Sequence, residues 1–546
     1  MKTGLFIFGH FWRLRCEKKL LANFRFQFLY EEMAESNVKT ATRQQQSMEL
    51  YEKSIHLLNA KACNERGKYV LYWVQTSPRV KFNVALELAC QKANEHQVPV
   101  LACFVFPTDK RLDNFPPETE RRCVFMLDGL RDFEKRLKKE RNIDLVVLYG
   151  KCEILIAKLA ENCCEVVVDA GYMRYQNKWY DEVNNNIECR FTKVETNVVV
   201  PVELVSEKEE FAAYTIRPKI WKYAKQYLVE PECIMVIAKN KPLFSDNLPL
   251  IDLSQSDNVI LAKLNADTTV KKVANIHGGH SEAVKLLDNF VSKKLPNYDK
   301  LRNIPGLDGQ SGLSPYINFG HISTVEIILK VNASKANKSV KDAFVEQLLV
   351  RRELSINFVH YNSENYDSLK CLPKWAADTL KLQAKAKREY IYTSEQLEKG
   401  ETHDQYWNAC QLELVYEGKM NGYMRMYWGK KVIEWTANVN TAYSWLMYMN
   451  DKYELDGRDP NGFAGVAWVF GKHDRAHSRR QIFGTLRYMN SSGLERKFKP
   501  HLKDYVKHCY ELAGRSFPSS PVENSTPVAK KRKLLKTTAN VSRKVK

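Results

Sequence analysis

Short apolar strands and amphipathic helices alternate along residues 69–170, and this alternation restricts the fold of the 546-residue chain more than any other feature. Tyr69–Val74 is an apolar run rich in β-branched and aromatic residues, and residues 82–94 follow it with helical spacing. The same order continues with predicted strands at 98–106, 143–149, 165–170 and 198–204, and predicted helices at 121–141 and 154–162. Strands separated by helices imply crossover connections, so we predict a Rossmann-like α/β domain with a doubly wound parallel sheet.

Several common site motifs are missing from the chain. Neither GxGxxG nor GxxxxGK[ST] follows the first strand, which argues against a dinucleotide-binding or P-loop NTPase site. GxSxG, HExxH and cysteine pairs with zinc spacing are also absent. His277 and His280 fit a turn better than a metal site, so we predict no metal.

From residue 281 onward the apolar periodicity is helical, without strand-like alternation. The predicted helices span 283–293, 323–331, 340–358, 376–387, 404–416, 419–435 and 441–455. Five of the ten tryptophans lie between Trp407 and Trp468. We therefore predict an unassigned extension at 1–66, an α/β domain at 67–205, a connector at 206–280, an all-α domain at 281–515 and a disordered basic tail at 516–546.

Basic residues are in excess and concentrate at the C-terminus. The chain has 84 Lys and Arg against 64 Asp and Glu, and residues 529–546 hold eight basic residues and no acidic one. Pro527-Val-Ala-Lys-Lys-Arg-Lys-Leu534 resembles a nuclear-localisation signal, so we expect an import receptor to bind it and the protein to enter the nucleus. A solvated charge run is the alternative explanation. The remaining positive charge suits a DNA partner.

Composition excludes other classes of protein. Apolar residues at 44% and charged residues at 27% are ordinary globular values, so general disorder is ruled out. The 13 cysteines are scattered, which predicts reduced and mostly buried thiols of an intracellular protein. No run approaches 18 apolar residues, so we expect no membrane-spanning helix. The N-terminal extension leaves open a mitochondrial presequence and a translation start at Met33 or Met48.

The helical half places an arginine among tryptophans on one predicted helix face. Arg425 and Trp428 are three residues apart, and Trp428 and Trp435 are seven apart, so all three share that face. Tryptophans at this spacing are ordinarily core residues. A buried guanidinium, however, needs an acidic partner, which the turn-rich loop 455–463 can provide. Such a loop between aromatic helices suits a large, planar cofactor with polar edges.

Several long motifs occur together in a fixed order. They are Ser311-Gly-Leu-Ser-Pro-Tyr-Ile-Asn-Phe-Gly320, Val350-Arg-Arg-Glu-Leu354, Trp407-Asn-Ala-Cys-Gln-Leu-Glu-Leu-Val415, Gly418-Lys-Met-Asn-Gly-Tyr-Met-Arg-Met-Tyr-Trp428, Asp456-Gly-Arg-Asp-Pro-Asn-Gly-Phe463, Gly471-Lys-His-Asp-Arg475 and Phe483-Gly-Thr-Leu-Arg-Tyr-Met489. In residues and order they resemble the class II cyclobutane pyrimidine dimer photolyases of the photolyase/cryptochrome family. The resemblance extends from about residue 68 to residue 512.

The resemblance implies an N-terminal α/β domain, often with an antenna chromophore, and a helical domain that holds FAD. It also implies a light-driven lyase, in which fully reduced FADH⁻ passes an electron to a dimer flipped out of double-stranded DNA and later recovers it. We expect the enzyme to act as a monomer. Deazaflavin, a folate and an empty antenna site all remain open.

Family roles carry over to matching positions of this chain. The resemblance implies that Tyr298 and the turn Ser311-Gly312-Leu313-Ser314 hold the FAD phosphates, with backbone N–H groups at a helix N-terminus. Asn450 would face flavin N5. Arg425 would pair with Asp456 beside the isoalloxazine ring.

Two further sets of residues follow from the resemblance. The electron-delivery chain to oxidised flavin would be formed by Trp428, Trp407 and Trp435, with Trp428 nearest the flavin. The dimer and the flanking DNA would be contacted by Arg302, Glu346, Gln347, Trp468 and Arg487.

Three positions depart from the family pattern. Gln347 stands where a second glutamate is usual, Asn421 where histidine is usual, and His477 where tryptophan is usual. Glutamine can still hydrogen-bond a thymine edge but cannot share a proton as a carboxyl can. We expect altered dimer affinity or quantum yield rather than loss of the reaction. The alternative functions are a cryptochrome-like photoreceptor without repair activity and a DNA-binding protein without flavin.

Overall fold

The computed structural model describes residues 48–108, 115–242, 244 and 247–517, so the basic cluster at 527–534 and most of the N-terminal extension lie outside the described residues. Contacts along the chain define two compact units. Unit 1 comprises the chain up to residue 302, residues 308–371 and residues 450–465, and unit 2 comprises residues 303–307, 372–449 and the chain from 466 onward. The domain boundaries drawn from the sequence stay predictions.

Unit 1 contains a six-stranded sheet with strand order β1-β6-β5-β2-β3-β4. Its strands are β1 Ile55–Leu57, β2 Tyr69–Val74, β3 Val100–Pro107, β4 Asp144–Gly150, β5 Cys163–Asp169 and β6 Arg190–Val194. Strands β2 to β6 pair in parallel, and β1 pairs with β6 in the antiparallel direction at the edge. The five parallel strands run in the doubly wound order, which confirms the predicted α/β fold class.

Both faces of this sheet are buried, which explains the continuous apolar run of β2. Val70, Tyr72 and Val74 join one core cluster and Tyr69, Leu71 and Trp73 join another, because side chains alternate across a strand. The first face is covered by helices α1 Val84–His96 and α2 Glu120–Arg141. The second is covered by α3 Cys152–Ala160 and α4 Arg174–Asn186.

The remaining segments are helical, as the periodicity predicts from residue 281 onward, and the predicted connector 206–280 also contains helices. They are α5 Val202–Val205, α6 Ala213–Tyr227, α7 Asp257–Leu264, α8 His280–Asn289, α9 Tyr298–Leu301, α10 Ser314–Asn318, α11 Thr324–Ala333, α12 Lys338–Val345, α13 Arg352–Tyr361, α14 Lys374–Leu382, α15 Ser394–Glu398, α16 Gln405–Glu417, α17 Gly422–Trp435, α18 Val439–Tyr453, α19 Pro460–Val469 and α20 Ser491–Leu512. Two π-helical segments, Phe290–Lys294 and Glu346–Arg351, continue α8 and α12.

The strand predicted at 198–204 is wrong. Residues 197–200 form bends, and α5 begins after Pro201, whose ring cannot donate a ladder hydrogen bond. The backbone N–H of Val199 donates to the carboxylate of Glu353 at 2.6 Å instead of to a strand. The apolar run is therefore buried by tertiary contacts and not by sheet pairing.

Several elements have no counterpart in the sequence prediction, among them helices α6, α7, α19 and α20. Strand β1 precedes the first predicted strand, and β6 and α4 fall in a polar stretch with little periodicity. Ten of the twelve cysteines in the described residues are buried, and all twelve are free thiols, as predicted. Within the same residues no helix is both long and apolar enough to cross a membrane.

Candidate functional site

Asn450, the predicted N5-facing residue, is held rigidly near the end of α18 in unit 1. Its side chain is buried, and Nδ2 donates to Oδ1 of Asp451 at 2.9 Å. The same Asp451 oxygen accepts the backbone N–H of Arg458 at 3.1 Å. A Cβ on Gly462 would lie 2.9 Å from Asn450 Nδ2, so a larger residue there would displace this amide. The position of this amide is therefore fixed by the loop that follows it.

Arg458, which the sequence analysis did not single out, organises that loop. Its guanidinium pairs with Glu118 at 2.6 Å and donates to the carbonyl of Pro116 at 2.8 Å. Burial opposes ionisation of Glu118, but Arg458 and Arg122 outweigh it and keep the pKa of Glu118 below its usual range. Arg458 adopts a positive φ of 58°. Its place in the Asp456–Phe463 motif was the sequence feature from which its role could have been predicted.

The turn predicted to hold phosphates is a glycine turn in unit 1. Gly312 has a φ of +71°, and the backbone N–H of Leu313 donates to the Ser311 hydroxyl at 3.3 Å. The Leu313 side chain is buried, whereas Gly312 and Ser314 are exposed. The buried leucine thus anchors a turn whose polar groups remain accessible.

The resemblance assigns Tyr298 to FAD and Arg302 to DNA, and the two side chains lie together. The guanidinium carbon of Arg302 is 5.6 Å from the centroid of the Tyr298 ring. That ring also makes edge contacts with Phe290 and Phe344, at centroid distances of 5.8 and 5.2 Å. Burial raises the pKa of Tyr298, and Arg302 opposes the rise. Tyr298 is therefore a core residue that also supports the side chain of Arg302.

The three predicted electron-transfer tryptophans meet in the interior of unit 2. Trp407 is fully buried, and Trp428 and Trp435 are 3% and 2% exposed. The rings of Trp407 and Trp435 are 5.6 Å apart between centroids, and Nε1 of Trp407 donates to the Trp428 carbonyl at 3.0 Å. Trp407 therefore contacts the backbone of Trp428 and the ring of Trp435, and the order of the electron-transfer chain stays a prediction.

Gln411, missed by the sequence analysis, fixes the ring of Trp428. Its side-chain oxygen accepts the indole N–H of Trp428 at 2.9 Å, and its amide nitrogen donates to the Glu398 carbonyl at 3.1 Å. Gln411 is fully buried on α16, four residues after Trp407. A glutamine on the apolar face of a helix that carries a tryptophan was the available signal.

Two of the predicted DNA contacts lie side by side in unit 2. The guanidinium carbon of Arg487 is 5.6 Å from the centroid of the Trp468 ring, and Arg487 binds Asp474 through Nε at 3.1 Å and Nη2 at 3.2 Å. Trp468 is half-buried, with the ammonium of Lys430 5.3 Å from its centroid. The two predicted contacts thus form one small aromatic and cationic cluster.

Near this cluster in sequence, a loop carries cations that the sequence analysis did not assign. Arg475, Arg479 and Arg480 are exposed, and the guanidinium of Arg480 lies 4.8 Å from the centroid of the Tyr488 ring. Tyr488 and Arg480 also line a polar cavity of about 250 Å³. Three arginines within six residues were the sequence feature from which a cationic surface could have been predicted.

Glu346, predicted to contact the dimer, is engaged within unit 1. It lies in the π-helical segment Glu346–Arg351 and accepts two hydrogen bonds from Arg217, at 2.7 and 3.0 Å. Arg351 is a second cationic neighbour at 3.4 Å. Gln347 is half-buried beside it, and the function of the pair in dimer contact stays a prediction.

Two of the departures from the family pattern have local structural explanations. Asn421 is the N-cap of α17, since its side chain accepts the Tyr423 N–H at 2.9 Å, and asparagine is among the best residues for this position. The His477 ring lies 3.5 Å from the carboxylate of Asp474. Arg425 and Asp456 belong to different compact units, and their pairing stays a prediction.

Comparison with known proteins gives one family. A family model described as DNA photolyase matches residues 70–236. The deoxyribodipyrimidine photo-lyase of Methanothermobacter thermautotrophicus is 42% identical over 84% of this chain and 98% of its own length. The proteins of the same name from Arabidopsis thaliana and Potorous tridactylus are 37% and 34% identical, over 89% and 87% of their lengths.

Solved structures share the fold at low sequence identity. A cryptochrome from Synechocystis superposes with a TM-score of 0.66 at 15% identity, over 81% of this chain and 88% of that one. A photolyase from Sulfolobus tokodaii, solved with two FAD molecules, gives a TM-score of 0.61 at 16% identity, over 83% and 96% of the two chains. At these identities the likeness concerns the fold alone.

Proposed function

The chain belongs to the deoxyribodipyrimidine photolyase family, and from that membership we infer that it is a light-dependent DNA lyase that splits cyclobutane pyrimidine dimers. The observation that carries this function is the 34–42% identity to four such enzymes, each matched over at least 87% of its length. The matched regions include both the α/β part and the helical part of the chain.

FAD is the proposed cofactor, and in its reduced, light-excited state it supplies the electron that opens the cyclobutane ring. The residues of unit 1 fit such a group: Gly312 and Ser314 are exposed in the turn assigned to the phosphates, and Asn450 is a buried amide whose Nδ2 donates to Asp451. For the antenna site we propose a deazaflavin or a folate.

The tryptophans of unit 2 support a role in delivering electrons to oxidised flavin. Short separations favour transfer between neighbouring rings, and the 5.6 Å between Trp407 and Trp435 is a contact distance. The hydrogen bonds of Trp407 to the Trp428 carbonyl and of Trp428 to Gln411 keep the rings in one orientation. We propose Trp428 as the member nearest the flavin.

DNA binding is proposed for the cationic and aromatic surface of unit 2. Trp468 offers a ring on which a base can stack, Arg487 offers a guanidinium, and Arg475, Arg479 and Arg480 are exposed for phosphate contacts. Asp474 holds Arg487 in place through two hydrogen bonds. Glutamine at 347 would accept and donate hydrogen bonds to a thymine edge.

Three finer features are also proposals. The class II assignment rests on the motifs Gly418–Trp428 and Asp456–Phe463. Nuclear import rests on the basic cluster at 527–534, and deletion of residues 529–546 should reduce nuclear accumulation without changing repair in vitro. We propose a monomer, which size-exclusion chromatography with light scattering would check.

Repair of a defined substrate tests the proposed function. Purified protein, reduced with dithionite, is mixed with a duplex oligonucleotide that contains one thymine dimer and is illuminated with near-ultraviolet or blue light. We expect the dimer to disappear in the light and to persist in a dark control, and we expect an undamaged duplex to stay unchanged under the same light. Protein that binds FAD and absorbs light but leaves the dimer intact would support the cryptochrome-like alternative.

A further inference from the structure

Three side chains with metal-binding atoms converge at the amino ends of the central strands of unit 1. The Cys63 sulfur, a His96 ring nitrogen and a Glu165 carboxylate oxygen all lie within 4.8 Å of one another. Cys63 Sγ is 3.6 Å and His96 Nε2 is 3.0 Å from Glu165 Oε1. A tetrahedral zinc centre with bonds of about 2.0–2.3 Å places its ligand atoms roughly 3.3–3.8 Å apart. The distance from Cys63 to Glu165 falls in this range, and a small shift of the His96 ring away from Glu165 would bring the other distance into it.

The Glu165 carboxylate provides an independent sign that a ligand belongs here. Its side chain is 1% exposed, and its second oxygen, Oε2, is buried and has no hydrogen-bond partner among the described residues. A buried carboxylate oxygen without a partner is costly, because burial removes its hydration without replacing it. A bound cation would satisfy this oxygen.

Three separate elements hold the group in position. Glu165 lies on β5, His96 is the last residue of α1, and Cys63 lies in the segment before β2. That segment is tied to β5, since Asn64 donates through its backbone N–H to the Cys164 carbonyl at 2.8 Å and through its side chain to the Cys163 carbonyl at 3.2 Å. The ligand atoms are therefore placed by backbone contacts and not by one mobile loop.

We propose that Cys63, His96 and Glu165 form a binding site for one zinc ion in the α/β part of the protein. A thiolate and an imidazole select zinc over magnesium or calcium, which prefer oxygen ligands. Thiolate and carboxylate together carry two negative charges, which match Zn²⁺. His96 is 23% exposed, so solvent reaches the site and a water molecule can complete the four ligands.

Binding involves no redox step. The Cys63 thiol loses its proton to the buffer as the zinc–sulfur bond forms, and a protonated His96 loses one as the zinc–nitrogen bond forms. Arg190 lies opposite Glu165 in the β5–β6 register. The ion would join β5, α1 and the segment before β2, so its role is to stabilise this edge of the fold.

Zinc stoichiometry tests the proposal on the full-length protein. The chain is freed of metal with a chelator, dialysed against micromolar Zn²⁺, and its metal content is measured by mass spectrometry. We expect one zinc ion per chain and a rise in the thermal unfolding midpoint. Cys63→Ala and His96→Ala should each weaken binding at least roughly 100-fold. Cobalt(II) should give a thiolate charge-transfer band in a difference spectrum, which Cys63→Ala abolishes.

Two matched variants separate this site from incidental binding. Cys233→Ala removes the exposed thiol of the described residues, and His56→Gln removes a histidine that pairs with Glu195 at 2.9 Å without a cysteine beside it. Both should keep the full zinc content. Absence of zinc from the wild-type protein, or equal zinc binding in wild type, Cys63→Ala and His96→Ala, would overturn the proposal. Dimer repair is not needed for any of these measurements.

Discussion

A buried lysine under the proposed DNA surface makes the stability of the protein depend on pH. Lys430 is 1% exposed on α17, and its ammonium donates to the Val469 carbonyl and lies 5.3 Å from the Trp468 centroid. Burial lowers the pKa of Lys430 to about 7; Asp474 opposes this shift and Arg487 adds to it. The folded protein therefore releases this proton far more readily than the unfolded chain does.

The sign and the magnitude follow from this difference in pKa. An unfolded lysine has a pKa of about 10.4, so between about pH 7 and pH 10 the unfolded chain carries the proton and the folded protein does not. The contribution of Lys430 to the free energy of unfolding must then rise with pH over that window, by about 1.4 kcal/mol per pH unit and about 5 kcal/mol in all. Below pH 7 both states are protonated, and the folded state bears the full cost of the buried charge.

Lys430→Met removes the titration while keeping a side chain of similar length. We expect the variant to be more stable than the wild type at pH 7, with an advantage that shrinks by about 1.4 kcal/mol for each pH unit above it. Urea unfolding of both proteins at matched pH values between 7 and 9.5, followed by tryptophan fluorescence, measures this difference. Lys431→Met is the control, because that ammonium pairs with Glu434 at 2.8 Å, and it should keep the wild-type pH dependence. A difference between Lys430→Met and wild type that does not change with pH would refute the reasoning.

Three further predictions test other parts of the structure. Trp428→Phe should still bind FAD and, once reduced with dithionite, repair dimers in blue light, but it should not photoreduce oxidised FAD with an external thiol. Normal photoreduction in this variant would show that Trp428 is a core residue only. Arg302→Gln and Arg487→Gln should each weaken binding to dimer-containing duplex and lower the salt slope by roughly one unit, and unchanged affinity and slope in both would remove them from the DNA site. Burial raises the pKa of Glu353 to about 8, while the hydrogen bond from the Val199 N–H opposes the rise, so the stability contributed by the protonated carboxyl is present below about pH 4 and is lost as pH rises to 8. Glu353→Gln should therefore gain stability relative to wild type as pH rises from 5 to 8, and a difference in urea unfolding that stays constant with pH would contradict this.

Local periodicity predicted the elements it could describe. Strand Tyr69–Val74 agrees residue for residue, and the helix predicted at 121–141 is observed as Glu120–Arg141, because both segments have clear apolar patterns and α2 has a capping threonine at Thr119. Strand β1 is three residues long and β6 is polar in part, so neither has enough pattern to be recognised. Their pairing joins residues more than 130 apart in the sequence, for example Ile55 with Val194.

The sequence by itself determined the fold class and the family and proposed part of the candidate site, because periodic burial and long ordered motifs are written in neighbouring residues. Only the tertiary structure decided the environment of each side chain: the carboxylate of Glu353 beneath Val199, the glutamine that orients Trp428, and the loss of solvent around Lys430. Hydration, pKa and ring separation depend on which distant residues come into contact. A pattern of neighbours along the chain does not encode those contacts, since they form only when the whole fold is assembled.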